Sequence, residues 1–294
     1  MDLMKPAKYF FALSAAAMLV SLVLLVYPGP RLSIEFTGGT RIELKAEADV
    51  SQTAMADALK SFPEELSATV NKTQDGTFIV RMKTIDQETN QTLLKHLNDT
   101  IGAVEETRYT TIGPTVGATL KKQALWALLT AGICIILYVA WSFRRIPRKL
   151  SPWKFGLVVV ITLIHDVLIT TGIFVILSHV TSFEVDTLFT TAILTIFGYS
   201  VNDTIIIFDR IRENLQHQDR NEEFAVVANR SLIQSITRSL YTSTSVQIML
   251  ISLLIFGSGS IRWFVLALII GIGLGTYSSI FVATPLLVYW RKRK

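Results

Sequence analysis

Cysteine is almost absent from this 294-residue chain: the one example, Cys134, lies in an apolar stretch. No intrachain disulfide can form, and no multi-cysteine metal site can be built. Charge is scarce as well, with Asp, Glu, Lys and Arg at 17% of residues, against about a quarter in an average soluble chain. Catalytic signatures are missing too. There is no Gly-x-x-x-x-Gly-Lys-[Ser/Thr] phosphate loop, no His-Glu-x-x-His zinc pair and no Gly-x-Ser-x-Gly elbow. The expectation is a chain that is not an enzyme, with no metal and no cofactor.

What is present is apolar residue. Half the chain is hydrophobic, and its mean hydropathy is +0.45, which places it among membrane proteins. Six runs are long enough to cross a hydrocarbon core: Ala7–Tyr27, Ala124–Phe143, Phe155–Leu177, Val185–Phe208, about Leu240–Phe256 and Trp263–Trp290. The first is too long for the apolar region of a signal peptide, which runs about 7–15 residues, so an uncleaved helix is expected. The fifth is the shortest, and its helix is expected to start earlier, near Ser231. An amphipathic surface helix is expected around Glu222–Ser231.

The formal charge is 28 − 23 = +5. Much of that excess flanks apolar runs and is an orientation signal rather than a nucleic-acid surface. Lys5 and Lys8 precede the first span. Arg144, Arg145, Arg148, Lys149 and Lys154 lie between spans two and three. Arg210, Arg212, Arg220, Arg230 and Arg238 lie between four and five, and Arg291–Lys294 form the tail. The opposite short loops hold only Arg262. Both termini are therefore expected in the cytoplasm, with the polar stretch Arg31–Thr119 outside.

That polar stretch reads as a domain of its own. Leu32–Phe36 and Arg41–Lys45 alternate as strands around Thr37-Gly38-Gly39-Thr40, a tight turn in which Gly38 and Gly39 allow positive φ. Asp49–Phe62 reads as a helix with Val50, Ala54, Ala58 and Leu59 at helical spacing, stopped by Pro63. Ala68–Lys72 and Thr77–Lys83 flank the Asp75-Gly76 hairpin signal. Asp86–Ile101 is a second helix, capped by Asp86 and ended by Gly102. Ala103–Ile112 is a last strand. If the first two strands form one bent ribbon, the order is β-α-β-β-α-β, a ferredoxin-like layout. The expected fold is thus a polytopic α-helical membrane protein with six transmembrane helices. One α+β ferredoxin-like extracytoplasmic domain sits between helices one and two. The segments are 1–27 (tail and first helix), 28–121 (outer domain and linker) and 122–294 (the remaining helices, loops and basic tail).

The informative residues are polar ones inside the spans. An intramembrane carboxylate costs roughly 2.5–3.5 kcal/mol on insertion scales, so it is a functional candidate by default. Asn202 and Asp203 sit in the fourth span. Thr162, Asp166 and Thr170 form a stripe in the third, with His165 beside it. Thr187, Thr191, Thr195, Gly198 and Asn202 form one in the fourth. Ser231, Ser235, Arg238, Thr242 and Ser245 form one on the approach to the fifth. These stripes predict that spans three, four and five face one another, with Asp203 and Arg238 at comparable depth as partners. Such a pair is either a static packing contact or a proton-binding switch. His165 and Asp166 are either a satisfied structural pair or part of that switch. Gly271 and Gly275, one turn apart in span six, let another helix come close.

The run from Ser200 to Asn214, with Asn202-Asp203-Thr204 and Phe208-Asp209-Arg210 inside it, resembles the most recognisable motif of the SecF branch of the SecD/SecF protein-export family. Ile34–Thr40 resembles that family's Asp-Phe-x-Gly-Gly box, with Glu35 in place of Asp. Val116-Gly117, His165-Asp166 and Ser239–Ser243 are also similar to it. The resemblance covers nearly the whole chain. It implies the architecture of half a resistance-nodulation-division transporter in the bacterial inner membrane. It implies a six-helix SecD-like partner, contact with the SecYEG channel and YajC, and unfolded preprotein as cargo. It implies use of the proton-motive force, with protons as coupling ion. By position, Asp203 is then the proton-linked carboxylate and Arg238 its partner, with Asn202 beside them and Thr242, His165 and Asp166 in support. Two other readings stay open: a proton-coupled exporter of small molecules or lipids from the same superfamily, and a scaffold that only stabilises a membrane complex.

Overall fold

The computed structural model describes residues 4, 6–47, 49–73, 76–144, 152–217 and 222–292. Several basic residues used for orientation (Lys5, Arg145, Arg148, Lys149, Arg220, Arg293 and Lys294) lie outside these, as does Asp75 of the hairpin signal. The chain forms two compact units. One comprises Met1–Pro30, Trp126–Ser178 and Leu188–Lys294; the other comprises Arg31–Leu125 and His179–Thr187.

The second unit is the inserted α+β domain. Its elements are α2 (Ile34–Thr37), β1 (Gly39–Ala46), α3 (Gln52–Lys60), β2 (Thr69–Lys72), β3 (Phe78–Met82), α4 (Gln87–Ile101) and β4 (Val104–Ile112). The strands pair antiparallel in the order β2-β3-β1-β4, which is the ferredoxin-like arrangement. Alternation decides which side is covered. Ile42 and Leu44 of β1, with Phe78, Val80 and Met82 of β3, are buried with Met55, Leu59, Leu93 and Leu97 of the two helices.

Local chemistry moves several boundaries. The expected strand Leu32–Phe36 is instead the short helix α2. Ser33 Oγ accepts from Glu35 N at 3.3 Å, and Thr37 Oγ1 donates to the Ser33 carbonyl at 3.1 Å. A single strand β1 therefore replaces the bent ribbon. Helix α3 starts later than Asp49, because Ser51 caps it by accepting from Ala54 N at 3.1 Å. Met55, not Ala54, turns inward. Asp86 caps α4 through Thr89 N at 2.9 Å, and this bond holds the Asp86 carboxyl below its usual range. Gly102 ends α4 at φ +93°.

The Gly38-Gly39 corner is held by sterics as well as torsion. Both residues have positive φ, +74° and +127°. A Cβ on Gly38 would sit 2.8 Å from Pro114 Cα, and one on Gly39 2.8 Å from the Met82 carbonyl oxygen. Pro114 opens α5 (Pro114–Ser142), and Gly117 in the same first turn meets Gly38 from the other side.

Residues His179–Thr187 also belong to this domain. Ser33 N donates to the Val185 carbonyl at 2.9 Å and Val185 N to the Arg31 carbonyl at 2.8 Å. Glu35 Oε2 accepts from Thr187 N at 2.8 Å and from Thr187 Oγ1 at 2.6 Å. It thereby caps α7 (Thr187–Gln216) at its first residue. Arg41 and Arg81 lie directly opposite each other across β1 and β3, a like-charge pairing that is unfavourable alone. Glu184 forms an ion pair with Arg81, and Arg41 Nη2 donates to Glu43 at 2.9 Å. Burial pushes the Glu184 carboxyl up, with Arg81, Arg41 and Arg31 pulling it back. Burial also lowers the Arg81 guanidinium, against the pull of Glu184.

The first unit is helical. It holds α1 (Ala7–Val26), the rest of α5, α6 (Pro152–Val180), most of α7, α8 (Phe224–Phe256), α9 (Arg262–Ser278), a π-helical segment (Ser279–Ala283) and α10 (Thr284–Lys292). Six stretches are long and apolar enough to span a bilayer, the last running through α9, the π segment and α10. The expected surface helix at Glu222–Ser231 is the start of α8. Its first turns bury Phe224, Val227 and Ala228 in the same core as Phe155, Phe208 and Ile211, so the helix does not break. The π segment precedes Pro285. Proline has no N–H to give the carbonyl four residues back, so the regular ladder fails there.

The Arg81–Glu184 pair generates a prediction. Removing one partner strands the other in a half-buried place, so Arg81→Leu and Glu184→Leu should each cost about 2 kcal/mol. The double substitution should cost clearly less than the sum, in a double-mutant cycle read by denaturant unfolding of the detergent-solubilised protein. For Asp86 the native pKa is depressed, so its contribution is present above the unfolded carboxylate range, about 3.9. It is lost as pH falls through the native value. Asp86→Asn should remove that acid-dependent fraying of the first turn of α4, measured by amide exchange.

Candidate functional site

Helices α6, α7 and α9 form the buried centre of the helical unit, and α8 packs along α9. Close approach depends on the two glycines of α9. A Cβ on Gly271 would run into the Ile196 side chain, and one on Gly275 would lie 3.1 Å from Ser200 Cβ. Ile196 and Ser200 are one turn apart on α7, so two helix faces meet with almost no side chain between them.

Two carboxylates sit in this packing, and they are met differently. Asp166 on α6 is fully buried. Its Oδ1 lies 2.8 Å from His165 Nδ1, and its Oδ2 accepts from Ser200 Oγ at 2.5 Å and Ser278 Oγ at 2.8 Å. One side chain therefore ties α6, α7 and α9 together with both oxygens satisfied. Asp203 on α7 is also fully buried. Its Oδ2 accepts from Thr276 Oγ1 of α9 at 3.1 Å, whereas its Oδ1 has no partner among the described residues. Ser239 Oγ is likewise buried without a partner among the described residues, and the Tyr199 hydroxyl faces Ser243 and Thr242 of α8. Thr276 Oγ1 also lies 2.8 Å from Ser243 Oγ of α8. One turn along, Thr204 Oγ1 and Ser279 Oγ are 2.8 Å apart.

Arg238 and Asp203 are not brought together. Among the described residues Arg238 has no ion-pair partner within 4.0 Å, and it is exposed on the outside of the chain. Thr242 is exposed with it, and its hydroxyl bonds back to the carbonyls of its own helix at 3.0 Å. Ser245 is exposed too. The side of α8 that faces the bundle is Ser231, Ser235, Ser239 and Ser243, all buried. The same division occurs on α7. Thr191, Thr195, Gly198 and Asn202 are exposed, and Ser200, Asp203 and Thr204 point in.

The expected meeting of three polar stripes therefore holds for α6 alone, where Thr162, Asp166 and Thr170 are all buried. On α7 the stripe from Thr191 to Asn202 runs along the outer surface, and on α8 the stripe divides, with Ser231 and Ser235 inside and Arg238, Thr242 and Ser245 outside. On α8 the inner positions are taken by serines, which fit beside α9 where the long Arg238 side chain would not. Thr276, Ser243, Ser200 and Ser278 are the interior groups that sequence reasoning missed. Thr276 adjoins Gly275 and Ser243 adjoins Thr242, so a search for small hydroxyls beside the packing glycines would have reached them. No group of three or more His, Cys, Asp or Glu that could hold a metal occurs among the described residues.

Known proteins resemble the chain over its whole length. Residues 91–293 match the protein family described as "Protein export membrane protein SecD/SecF, C-terminal", and residues 23–50 match the "SecD/SecF GG Motif". The chain is 38% identical to the protein translocase subunit SecF of Sebaldella termitidis, over 100% of this chain and 93% of that one. It is 34% identical to the protein translocase subunit SecDF of Thermus thermophilus, over 100% of this chain and 39% of that longer one. The crystal structure of a Thermus SecDF, a translocon-associated membrane protein, superposes with a TM-score of 0.86 at 32% identity, again over 100% of this chain and 39% of that one.

The satisfied carboxylate generates a prediction. Asp166→Leu leaves Ser200, Ser278 and His165 without their shared acceptor, at about 1–3 kcal/mol for each buried group stranded. The purified protein should lose thermal stability strongly. Asp203→Leu, which strands one hydroxyl, should lose less in the same unfolding assay.

Proposed function

The chain belongs to the SecD/SecF family of protein-export membrane proteins, and on that premise we propose that it is the SecF-type half of a two-chain machine that assists preprotein export. Its partner is a SecD-type chain with six spans of its own. Together they act beside the SecYEG channel, with YajC, in the bacterial cytoplasmic membrane, and draw unfolded preprotein outward. Both termini lie in the cytoplasm and the inserted α+β domain lies outside. The coupling ion is the proton, and the chain catalyses no covalent reaction.

The observation that carries this reading is the polar outer surface of α7 and α8. Asn202 and Arg238 belong to helices that cross the bilayer, yet both are exposed on the chain. Lipid cannot solvate such groups, so a second membrane protein with polar groups of its own is the natural cover. The SecDF relatives, in which this chain corresponds to 39% of the length, support a partner of that kind. A hollow between α1, α5, α6 and α7 is lined almost wholly by apolar side chains, including Leu25, Leu129, Ile133, Ile164 and Phe197. It lacks the converging polar groups of a substrate site, which disfavours the small-molecule exporter.

Asp203 is the proton-linked group in this reading. It lies sixteen residues into α7, so about 24 Å from the outer end of that helix at 1.5 Å per residue. One oxygen is bonded and the other has no partner among the described residues, so the buried charge is only partly compensated. Taking up that proton removes the cost of a buried charge and allows the helices round it to rearrange. Arg238 supplies positive charge on the exposed side of α8, which faces the partner in this reading. His165 and Asp166 hold the bundle together.

In membrane vesicles that carry the translocon and both chains, Asp203→Asn and Arg238→Met should each abolish the part of export that depends on a proton gradient. The ATP-driven part should persist. Unimpaired late-stage export in both variants would sink the proton role.

A further inference from the structure

We propose that Thr276 is a positioning residue that reports the protonation state of Asp203 to α8, by giving its one proton to Asp203 or releasing it to Ser243. The proposal rests on Asp203 being the proton-linked group. It concerns what that proton does next, and its test separates the two.

The argument is a count of protons. Thr276 Oγ1 has three oxygen neighbours: Asp203 Oδ2 at 3.1 Å, Ser243 Oγ at 2.8 Å and the Ile272 carbonyl oxygen at 3.1 Å. All lie on buried residues of three different helices or on the backbone of α9. A hydroxyl has one proton to give and two lone pairs to receive with. A carbonyl oxygen can only accept, and so can an ionised carboxylate. With Asp203 ionised, Thr276 must give its proton to Oδ2. Ser243 Oγ and the Ile272 carbonyl, both placed to accept from Thr276, then receive nothing from it.

With Asp203 neutral, the carboxyl has a proton of its own. Oδ1 has no acceptor within reach among the described residues, so the proton is better placed on Oδ2, from which it donates to Thr276. The Thr276 proton is then released to Ser243 or to the Ile272 carbonyl. Ser243 Oγ, placed to accept from Thr276, can then receive that proton. One proton has been gained at Asp203 and none lost elsewhere, yet the Asp203–Thr276 bond has reversed and the Thr276 proton has been handed on. The change ends on α8, the helix whose other side carries Arg238 and Thr242.

The register of Thr276 is fixed by its neighbour. Gly275 has no Cβ, which brings α9 against Ser200, and a Cβ there would stand 3.6 Å from Asp166 Oδ2. The other titratable or charged side chains on the helices packed round Asp203 are Tyr199 on α7, His165 and Asp166 on α6, Tyr277 on α9, and Tyr241 and Arg238 on α8. Asp166 and His165 bond to each other, and Arg238 and Tyr241 are exposed. Thr276 thus bonds to both Asp203 and α8, while the Tyr199 hydroxyl, which also faces Asp203, Ser243 and Thr242, makes no bond to Asp203.

The test uses the full chain with its co-purified membrane partner, in vesicles. Thr276→Val keeps the shape and removes the hydroxyl; Thr276→Ser keeps the hydroxyl. Thr276→Val should lower gradient-driven export on the order of tenfold and move the pH of half-maximal export, with partner co-purification intact. Thr276→Ser should restore both. Combined with Asp203→Asn, Thr276→Val should add nothing, because the two act in one pathway. Infrared difference spectra on acidification supply a readout that does not need export. The carboxylic-acid band that Asp203→Asn removes should shift in frequency in Thr276→Val and return in Thr276→Ser. A band unmoved by Thr276→Val, or a wild-type pH profile in that variant, overturns the proposal. A band that moves as expected while Asp203→Asn exports normally upholds the hydrogen-bond reversal and overturns the proton-coupled reading of transport.

Discussion

A bilayer core offers no water, so every polar group placed there must be met by the protein itself. The helical unit is organised by how that demand is answered at three places. Asp166 is answered completely, by two hydroxyls and a histidine from the chain's own helices. Asp203 is answered at one oxygen only. Arg238 and Asn202 are turned to the outside of the chain. The first arrangement fastens three helices; in the proposed function the second takes up a proton and the third meets a partner chain.

The glycines of α9 allow all three. Gly271 and Gly275 bring α9 within side-chain contact of Ile196 and Ser200, and at that spacing serine and threonine hydroxyls can span between helices. The result is a row of short polar contacts, Asp166 with Ser278, Asp203 with Thr276, and Thr204 with Ser279.

The inserted domain solves a comparable problem at its own surface. Two arginines face each other on neighbouring strands, and Glu184 is supplied from the segment between α6 and α7. Glu35, within the family box that includes Gly38 and Gly39, closes the first residue of α7. A segment far away in sequence thereby becomes part of the domain. The charge retained on replacing Asp by Glu at position 35 has a visible use, since a carboxylate is what both Thr187 donors need.

Much was determined by the sequence alone. Six apolar runs, the capped helix at Asp86, the glycine corner and the α+β order follow from hydropathy, periodicity and turn chemistry, which act between residues close in the chain. The same local chemistry misled at Ile34–Thr37, where alternation suggested a strand but Ser33 caps a turn of helix. The cost of Asp203 in a span was legible for the same reason: it depends on the residue and its apolar neighbours. Which oxygen meets which hydroxyl was not. Helical spacing places Asp203 and Asn202 about 100° apart on α7, and Arg238 and Ser239 likewise on α8, but it cannot say which of each pair points inward. That choice belongs to the tertiary structure, because it is made by the closeness that Gly271 and Gly275 permit between helices distant in sequence.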